Sequence, residues 1–195
     1  MTERLDSLPQ IHQACWRELE RAAHDKLHAW RMMALATVGT SPSTAEGENG
    51  LAPTAELRTV VLREVSTDER TLLFFTDARS PKVAQIGAQP SAVLLVWCPQ
   101  LNWQLRLRVG LQVETAGLAV SSRWARLKMK PAAHDYLSPV PPGSALDNPV
   151  PERGTRGYFS IVTATVLAMD WLELHADGQR RALFDATGQG RWLSP

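Results

Sequence analysis

Residues 57–63 read LRTVVLR and residues 74–82 read FFTDARSPK, and these two stretches carry most of the information on fold and function. The first places Arg58 and Arg63 at the ends of a short apolar strand. The second ends in Ser-Pro-Lys, which is typical of a helix start with serine as the cap and proline at the first helical position. Such a helix end binds phosphate readily. From these residues alone, an exposed helix cap beside surface arginines is an equally good interpretation.

The bulk composition is that of an ordinary globular protein, and we expect one domain over residues 1–195. Lys and Arg number 21 and Asp and Glu number 20, so a net charge of +1 provides no overall attraction to nucleic acid or to an anionic membrane. Two cysteines, Cys15 and Cys98, are typical of a reducing compartment. The longest apolar run, at 92–98, is too short to span a bilayer. We therefore expect a cytoplasmic protein with neither nucleic acid nor membrane as a partner.

Apolar periodicity divides the chain into an N-terminal helix and a series of strands. Three- and four-residue apolar spacing predicts an amphipathic helix over 11–33. Runs rich in Val, Leu and aromatic residues predict strands, followed by a C-terminal hairpin. Because long helices do not separate these strands, an antiparallel barrel of six or seven strands is favoured over a parallel doubly wound sheet. The strand runs are 34–40, 57–65, 71–77, 91–97, 103–115, 158–174 and 180–186.

Two further segments separate the strands. Ser121 is a candidate cap for a helix that Pro131 should end or kink. The stretch 137–157 is rich in proline and predicts a loop that serves as a lid, an arm or a clasp for a partner.

Several familiar kinds of site are not indicated by the sequence. It contains no nucleophile elbow, no phosphate-binding loop of the Walker type, no HExxH and no CxxC. His24 and His28 are four residues apart, but no third metal ligand has suitable spacing, so we predict no metal site. The basic residues around Trp124 are better explained by a solvated helix face than by nucleic-acid binding.

The order of the motifs RTVVLR, FFTDxRSPK, an apolar strand ending in tryptophan, and NWQLRLRVxG resembles the pyridoxamine phosphate oxidase-like flavoproteins. The resemblance extends over most of residues 14–195. It implies a mainly β fold with flanking helices, an antiparallel split β-barrel that binds flavin mononucleotide (FMN). It also implies a homodimer with two flavin sites at its interface.

The resemblance also implies a set of cofactor contacts. Arg58 and Lys82 should hold the phosphate, with Arg79 replacing the basic residue for which Pro81 stands here. Phe75 and Thr76 should pass beneath the flavin. The second subunit should contribute Trp171 and Arg181. The full set of cofactor-binding residues that the resemblance implies is Arg58, Thr59, Val60, Val61, Leu62, Arg63, Phe75, Thr76, Arg79, Ser80, Lys82, Gln104, Trp171 and Arg181.

The residues that correspond to the substrate site of the oxidases depart from the family pattern. Asp177 and Gln179 stand where the oxidases carry arginine and histidine, and Val140 stands where they carry another arginine. Tyr136 and Ser144 match two substrate-phosphate contacts. The resemblance therefore implies that flavin binding is kept while oxidation of vitamin B6 is not the main activity.

Three functions remain open on the sequence alone. The first is an FMN-dependent oxidoreductase acting on an unidentified small molecule, for which no catalytic acid or base can be named because the flavin ring itself accepts the hydride. The second is a flavin carrier or sensor without turnover. The third is a barrel that binds another planar cofactor, such as haem or a deazaflavin.

Overall fold

The computed structural model describes residues 4–42, 50–146 and 157–195. Three α-helices lie in these ranges, α1 (Leu8–His24), α2 (Pro81–Ala88) and α3 (Leu118–Leu127), with 3-10 turns at Ala29–Arg31 and Pro131–Tyr136. None of the helices in the described part of the chain has the length and apolar character needed to cross a membrane. The strands are β1 (Met32–Pro42), β2 (Leu51–Ser66), β3 (Thr71–Asp77), β4 (Ser91–Cys98), β5 (Trp103–Glu114), β6 (Phe159–Glu173), β7 (Arg180–Asp185) and β8 (Gly190–Leu193).

The strands form one antiparallel sheet in the order β3-β2-β1-β4-β5-β6-β7-β8. Strand β3 also pairs with β6, from Thr71 opposite Thr165 to Asp77 opposite Phe159, so the first six strands of this order close into a ring. The prediction of a mainly β, antiparallel fold with flanking helices is confirmed, and a parallel doubly wound sheet is excluded.

The core lies inside the ring, as the alternation along β5 predicts. Leu105 and Leu107 are fully buried, whereas Arg106 and Arg108 between and after them point to the opposite, exposed face. Helix α1 packs against the same core through Ile11, among other residues. We call the sheet face that carries Arg106 the outer face.

The N-terminal helix is shorter than the predicted 11–33, and this prediction was wrong at both ends. Helix α1 begins at Leu8 and stops at His24. Beyond it, the Asp25 carboxylate accepts a hydrogen bond from the Leu27 N–H (2.9 Å), a local turn that competes with the helix. Trp30 fits the helical spacing, but it lies in the 3-10 turn that follows, and its side chain reaches the core from there.

Other boundaries also differ from the sequence-based expectations. Strand β2 begins at Leu51 instead of 57, and β8 was not predicted. Helix α3 begins before Ser121, with Gly117 as its N-cap, and ends at Leu127 ahead of Pro131. Of the proline-rich stretch 137–157, residues 137–146 contain no helix or strand, while 147–156 lie outside the described residues.

Strand β8 depends on a glycine at its start. A Cβ atom at Gly190 would lie 2.6 Å from a ring carbon of Phe184, which is fully buried, and 3.2 Å from Cβ of Leu8. Since the Phe184 ring is enclosed in the core, we expect Gly190→Ala to lower the free energy of unfolding by about 1–3 kcal/mol. Chemical denaturation monitored by tryptophan fluorescence measures this change.

Gly87→Ala is the matched control. Gly87 lies in α2 with no heavy atom within 4 Å of the added Cβ, and alanine in a helix interior is favoured over glycine by about 0.5–1 kcal/mol. The two substitutions should therefore shift the denaturation midpoint in opposite directions. An unchanged midpoint for Gly190→Ala would contradict the packing of β8 against Phe184.

Candidate functional site

The end of β3 and the start of α2 form a polar corner. Strand β3 ends at Asp77 and α2 begins at Pro81, with Ser80 as the N-cap residue, as the sequence predicts. The Lys82 ammonium crosses this turn and donates to the hydroxyls of Thr76 (3.0 Å) and Ser80 (2.7 Å). The Ser80 hydroxyl makes no capping bond to the helix backbone, so it serves the lysine instead.

Arg58 reaches the same corner from β2. It continues the inner face of Val60 and Leu62, so its side chain points toward α2 and not toward the outer face. Its guanidinium donates to the hydroxyl of Thr37 on β1 and to the amide oxygen of Gln85 on α2 (2.9 Å). The structure therefore brings Arg58, Lys82, Ser80 and Thr76 together, and we call these four residues the cationic corner.

Positive charge dominates the electrostatics of the cationic corner. Burial and the charge of Arg58 lower the pKa of Lys82, and Asp77 opposes them only in part. Burial also lowers the pKa of Arg58, against the influence of Glu56, whose carboxylate is 3.8 Å away. In the described part of the chain, Lys82 has hydroxyl partners and Arg58 has no carboxylate within hydrogen-bond distance. Two partly desolvated cations so placed are suited to bind an anion.

Arg79 has other partners in this structure than the phosphate that the resemblance implies for it. Its guanidinium forms a forked ion pair with Asp77 (2.7 and 3.0 Å) and donates to the carbonyl oxygens of Ser138 (2.8 Å) and Pro139 (3.3 Å). It also lies 3.2 Å from the ring centroid of Tyr158. Arg79 thus fastens that loop to β3, and its role toward a phosphate stays a prediction.

A second group of predicted residues gathers around Arg63. Its guanidinium carbon lies 5.4 Å from the centre of the Phe75 ring, and its Nε is buried without a partner among the described residues. Burial raises the pKa of Tyr136, while the charge of Arg63 and a hydrogen bond from it act in the opposite direction. Arg63, Phe75 and Tyr136 are therefore neighbours, as their assignment to one site requires.

Gln104 and Arg181 lie on the outer face, apart from both groups. Gln104 pairs with Leu172 across β5 and β6, and Leu172 pairs with Arg181 across β6 and β7. Arg181 forms a forked ion pair with Asp170 (2.8 and 2.9 Å), which Arg106 also contacts. A cavity of about 360 Å³ on this face is lined by Val93, Arg106, Arg108, Ala168, Asp170, Arg181, Leu183 and Leu193.

Trp171 lies on the opposite side of the sheet from Arg181. It pairs with Leu105 and has no exposed surface, and its ring packs edge-on against Trp103 at 5.4 Å. The indole ring is thus part of the core, and it has no surface available for a flavin in this conformation. The resemblance treats Trp171 and Arg181 as one pair, whereas the alternation of β6 and β7 places them on different faces.

The remaining predicted residues are spread over two faces. Along β2, Thr59 and Val61 point to the outer face, and Val60 and Leu62 are buried in the core. Ser144 is exposed, and its backbone N–H donates to the Pro141 carbonyl (3.2 Å). The backbone of this loop passes near the start of α2, where a Cβ on Gly143 would lie 4.0 Å from Pro81.

Thr37 and Gln85 belong to the site but were not predicted from the sequence. Both contact Arg58 directly, across 21 and 27 residues of chain respectively. A threonine inside an apolar strand and a glutamine inside a short helix carry no local signal for such a contact.

Comparisons with known proteins place the chain in a family. Residues 13–115 match the model of the pyridoxamine 5'-phosphate oxidase FMN-binding domain, which is more than half of the chain. The chain belongs to this family. A curated relative, the pyridoxine/pyridoxamine 5'-phosphate oxidase of Thermosynechococcus vestitus, is 35% identical over 89 residues. The match covers 46% of this chain and 36% of that relative, so the chain matches little more than a third of the relative's length.

Solved structures support the fold at low sequence identity. A pyridoxamine 5'-phosphate oxidase-related, FMN-binding protein from Nostoc punctiforme is 22% identical with a TM-score of 0.66, covering 99% of this chain and 100% of that one. PhzG from Burkholderia lata, solved with tetrahydrophenazine-1-carboxylic acid, is 14% identical with a TM-score of 0.68. The match covers 99% of this chain and 98% of PhzG. A heme-binding protein from Mycobacterium smegmatis is 14% identical with a TM-score of 0.51, covering 95% and 61%. One fold thus serves proteins with different ligands.

Asp170 offers a test of the outer face. Burial alone would raise its pKa, but the hydrogen bonds and charges of Arg181 and Arg106 outweigh burial and hold the pKa below its usual range. We expect Asp170→Asn to lower the free energy of unfolding at pH 7 by about 1–3 kcal/mol, because two arginines lose their charged partner.

The effect should depend on pH with a definite sign. The pKa of Asp170 is lower in the folded state than in the unfolded state. The ion pairs of Asp170 therefore stabilise the fold fully above the unfolded pKa of about 3.9, and this contribution is lost as the pH falls through the folded pKa. Denaturation of wild type and Asp170→Asn from pH 7 down to pH 3 should therefore show a shrinking difference. A difference that stays constant over this range would contradict the ion pairs.

Proposed function

We propose that this protein is an FMN-binding flavoprotein, an oxidoreductase that acts on a small molecule. The observation that supports it most directly is the cationic corner, where Arg58 and Lys82 converge at the start of a helix without a carboxylate bonded to either of them. A phosphate monoester matches this corner in charge and in the number of oxygens that accept hydrogen bonds. Membership of a family defined by an FMN-binding domain supports the same ligand.

The donor set fits FMN. Arg58, Lys82 and the backbone at the start of α2 would hold the phosphate. Phe75 and Arg63, which already lie against one another, would border the flavin ring, and the buried Nε of Arg63 is a donor still available there. Haem has no phosphate to match the cationic corner, so the corner favours a phosphorylated flavin over haem.

Bound FMN would supply the hydride acceptor for the reaction. The chain's own residues would fix the phosphate and orient the ring, and the loop that Arg79 fastens would limit access of water from its side. We assign no residue as a general acid or base. Steady turnover with a nicotinamide, thiol or amine donor separates this proposal from a flavin carrier that is reduced once or not at all.

The substrate of this protein would differ from that of the curated oxidase relative. The positions at which the oxidases carry arginine and histidine are Asp177 and Gln179, both exposed in the turn between β6 and β7. A carboxylate at this position repels a phosphorylated substrate. We therefore propose that the main substrate is not a vitamin B6 phosphate.

We also propose that the sheet is a split barrel and that it dimerises through the outer face. Large apolar side chains on this face are exposed, including Leu57 (69% exposed), Leu95 (38%) and Trp97 (41%). Two groups of predicted flavin contacts, around Arg58 and around Arg181, are not joined by a contact within the described chain. A second copy packed on the outer face would bring Arg181 of one subunit to the flavin of the other.

Arg58 provides the direct test of flavin binding. The apoprotein should bind FMN more tightly than riboflavin, and Arg58→Ala should weaken FMN by about tenfold or more while changing riboflavin little, because charge-assisted bonds to phosphate are lost. Quenching of flavin fluorescence measures both affinities. Arg126→Ala, on the exposed side of α3, is the control and should bind both flavins as wild type does. Equal FMN affinity in Arg58→Ala would remove Arg58 from the phosphate site.

Leu95 tests the dimer. Leu95 stands directly opposite Arg106 on the outer face. Leu95→Lys would bury a second cation beside Arg106 in the interface, so it should convert a dimer into a monomer at micromolar concentration. Sedimentation velocity separates the two species. Leu27→Lys, at a side chain that is 94% exposed beyond α1, should leave the dimer intact. A wild-type protein that sediments as a monomer with bound FMN would contradict the shared-site proposal.

A further inference from the structure

Arg58 is held in a closed triangle of hydrogen bonds. Its Nη1 donates to the hydroxyl of Thr37, its Nη2 donates to Oε1 of Gln85 (2.9 Å), and the Thr37 hydroxyl donates to the same Oε1 (2.7 Å). Thr37 is buried, so its hydroxyl has no competing water. Because both terminal nitrogens of Arg58 donate within the triangle, the plane of its guanidinium is fixed and not free to rotate.

The triangle fixes the arginine without neutralising it. Both hydrogen-bond partners are uncharged, and two of the five guanidinium N–H groups take part, which leaves the others for a ligand. The carboxylate of Glu56 lies 3.8 Å from Nη2, beyond hydrogen-bond distance, and its side chain is partly exposed, so it offsets the charge of Arg58 only in part. A glutamate at position 85 would accept the same two hydrogen bonds but would place a second carboxylate directly on Arg58, whereas the neutral amide of Gln85 adds no negative charge.

Gly39 on β1 has no side chain and leaves room for the Gln85 amide. A Cβ on Gly39 would lie 3.0 Å from Nε2 of Gln85 and 2.8 Å from Cγ of Glu56. Oε1 accepts two hydrogen bonds, and Nε2 lies beside Gly39, where the missing side chain leaves space for the amide. The orientation of Gln85 is therefore set from three sides.

We propose that Thr37 and Gln85 are positioning residues for phosphate recognition, and that they determine how strongly the protein prefers FMN over unphosphorylated riboflavin. This inference rests on the proposed flavin function and deepens it. Thr37 and Gln85 act through Arg58: they aim its free N–H groups at the anion and keep its charge available. Preorganised donors bind a ligand more tightly because less side-chain freedom is lost on binding.

The test is the ratio of the riboflavin and FMN dissociation constants in apoprotein variants. Gln85→Glu should lower this ratio about tenfold or more, because a carboxylate competes with the phosphate for Arg58. Thr37→Val should lower it by about two- to tenfold through loss of one hydrogen bond. Riboflavin affinity should stay near that of wild type in both variants.

Matched controls separate positioning from general damage. Thr37→Ser keeps the hydroxyl and should restore the wild-type ratio. Gln89→Ala removes an exposed glutamine just beyond the same helix and should leave the ratio unchanged. Gln85→Glu should unfold at or above the wild-type denaturant midpoint, because it places a carboxylate beside Arg58, so its loss of FMN cannot arise from unfolding.

The outcomes that overturn the proposal are distinct. Wild-type ratios in Gln85→Glu and Thr37→Val, in a protein that prefers FMN, would overturn this inference alone. Equal losses of riboflavin and FMN would reduce both residues to a structural role and overturn it as well. A wild-type protein without preference for FMN would overturn the proposed function and this inference together.

Discussion

Strand β3 is paired on both edges, with β2 on one side and with β6 on the other, and the position of the site depends on this double pairing. The β6 pairing joins residues 71–77 to 159–165 and closes the sheet. Because β3 cannot shift along either neighbour, the turn after Asp77 delivers the start of α2 to a fixed point at the edge of the ring. Lys82 and Arg58 meet there because β2, which carries Arg58, is paired with both β1 and β3, while α2, which carries Lys82, follows directly on β3.

The placement of the charged residues follows a simple division. On the outer face, Arg106 and Arg181 share the carboxylate of Asp170, and next to the site Asp77 neutralises Arg79. At the cationic corner, the partners of Arg58 and Lys82 are neutral oxygens instead. Holding two cations together in this way costs free energy in the absence of an anion. A phosphate bound between the two cations would recover that cost.

The sequence predicts this fold well where local patterns decide the structure. The alternation in β5 assigned Leu105 and Arg106 to opposite faces, and the Ser-Pro-Lys motif located the start of α2. Prediction failed where a long-range or competing contact decides the outcome. Nothing in the local pattern around Arg79 indicates that the Asp77 carboxylate and the carbonyls of a distant loop engage its side chain. The hydrogen bond between Thr37 and Gln85 joins residues 48 positions apart, and the local sequence around neither residue indicates it.

The central claim is that the cationic corner holds the phosphate of FMN, and a crystal structure of the protein grown with FMN tests it most directly. The account predicts phosphate oxygens within hydrogen-bond distance of the Arg58 guanidinium and the Lys82 ammonium, with the flavin ring extending toward Phe75. A flavin whose phosphate contacts other residues would contradict the account, and so would a structure at saturating FMN in which the corner stays empty.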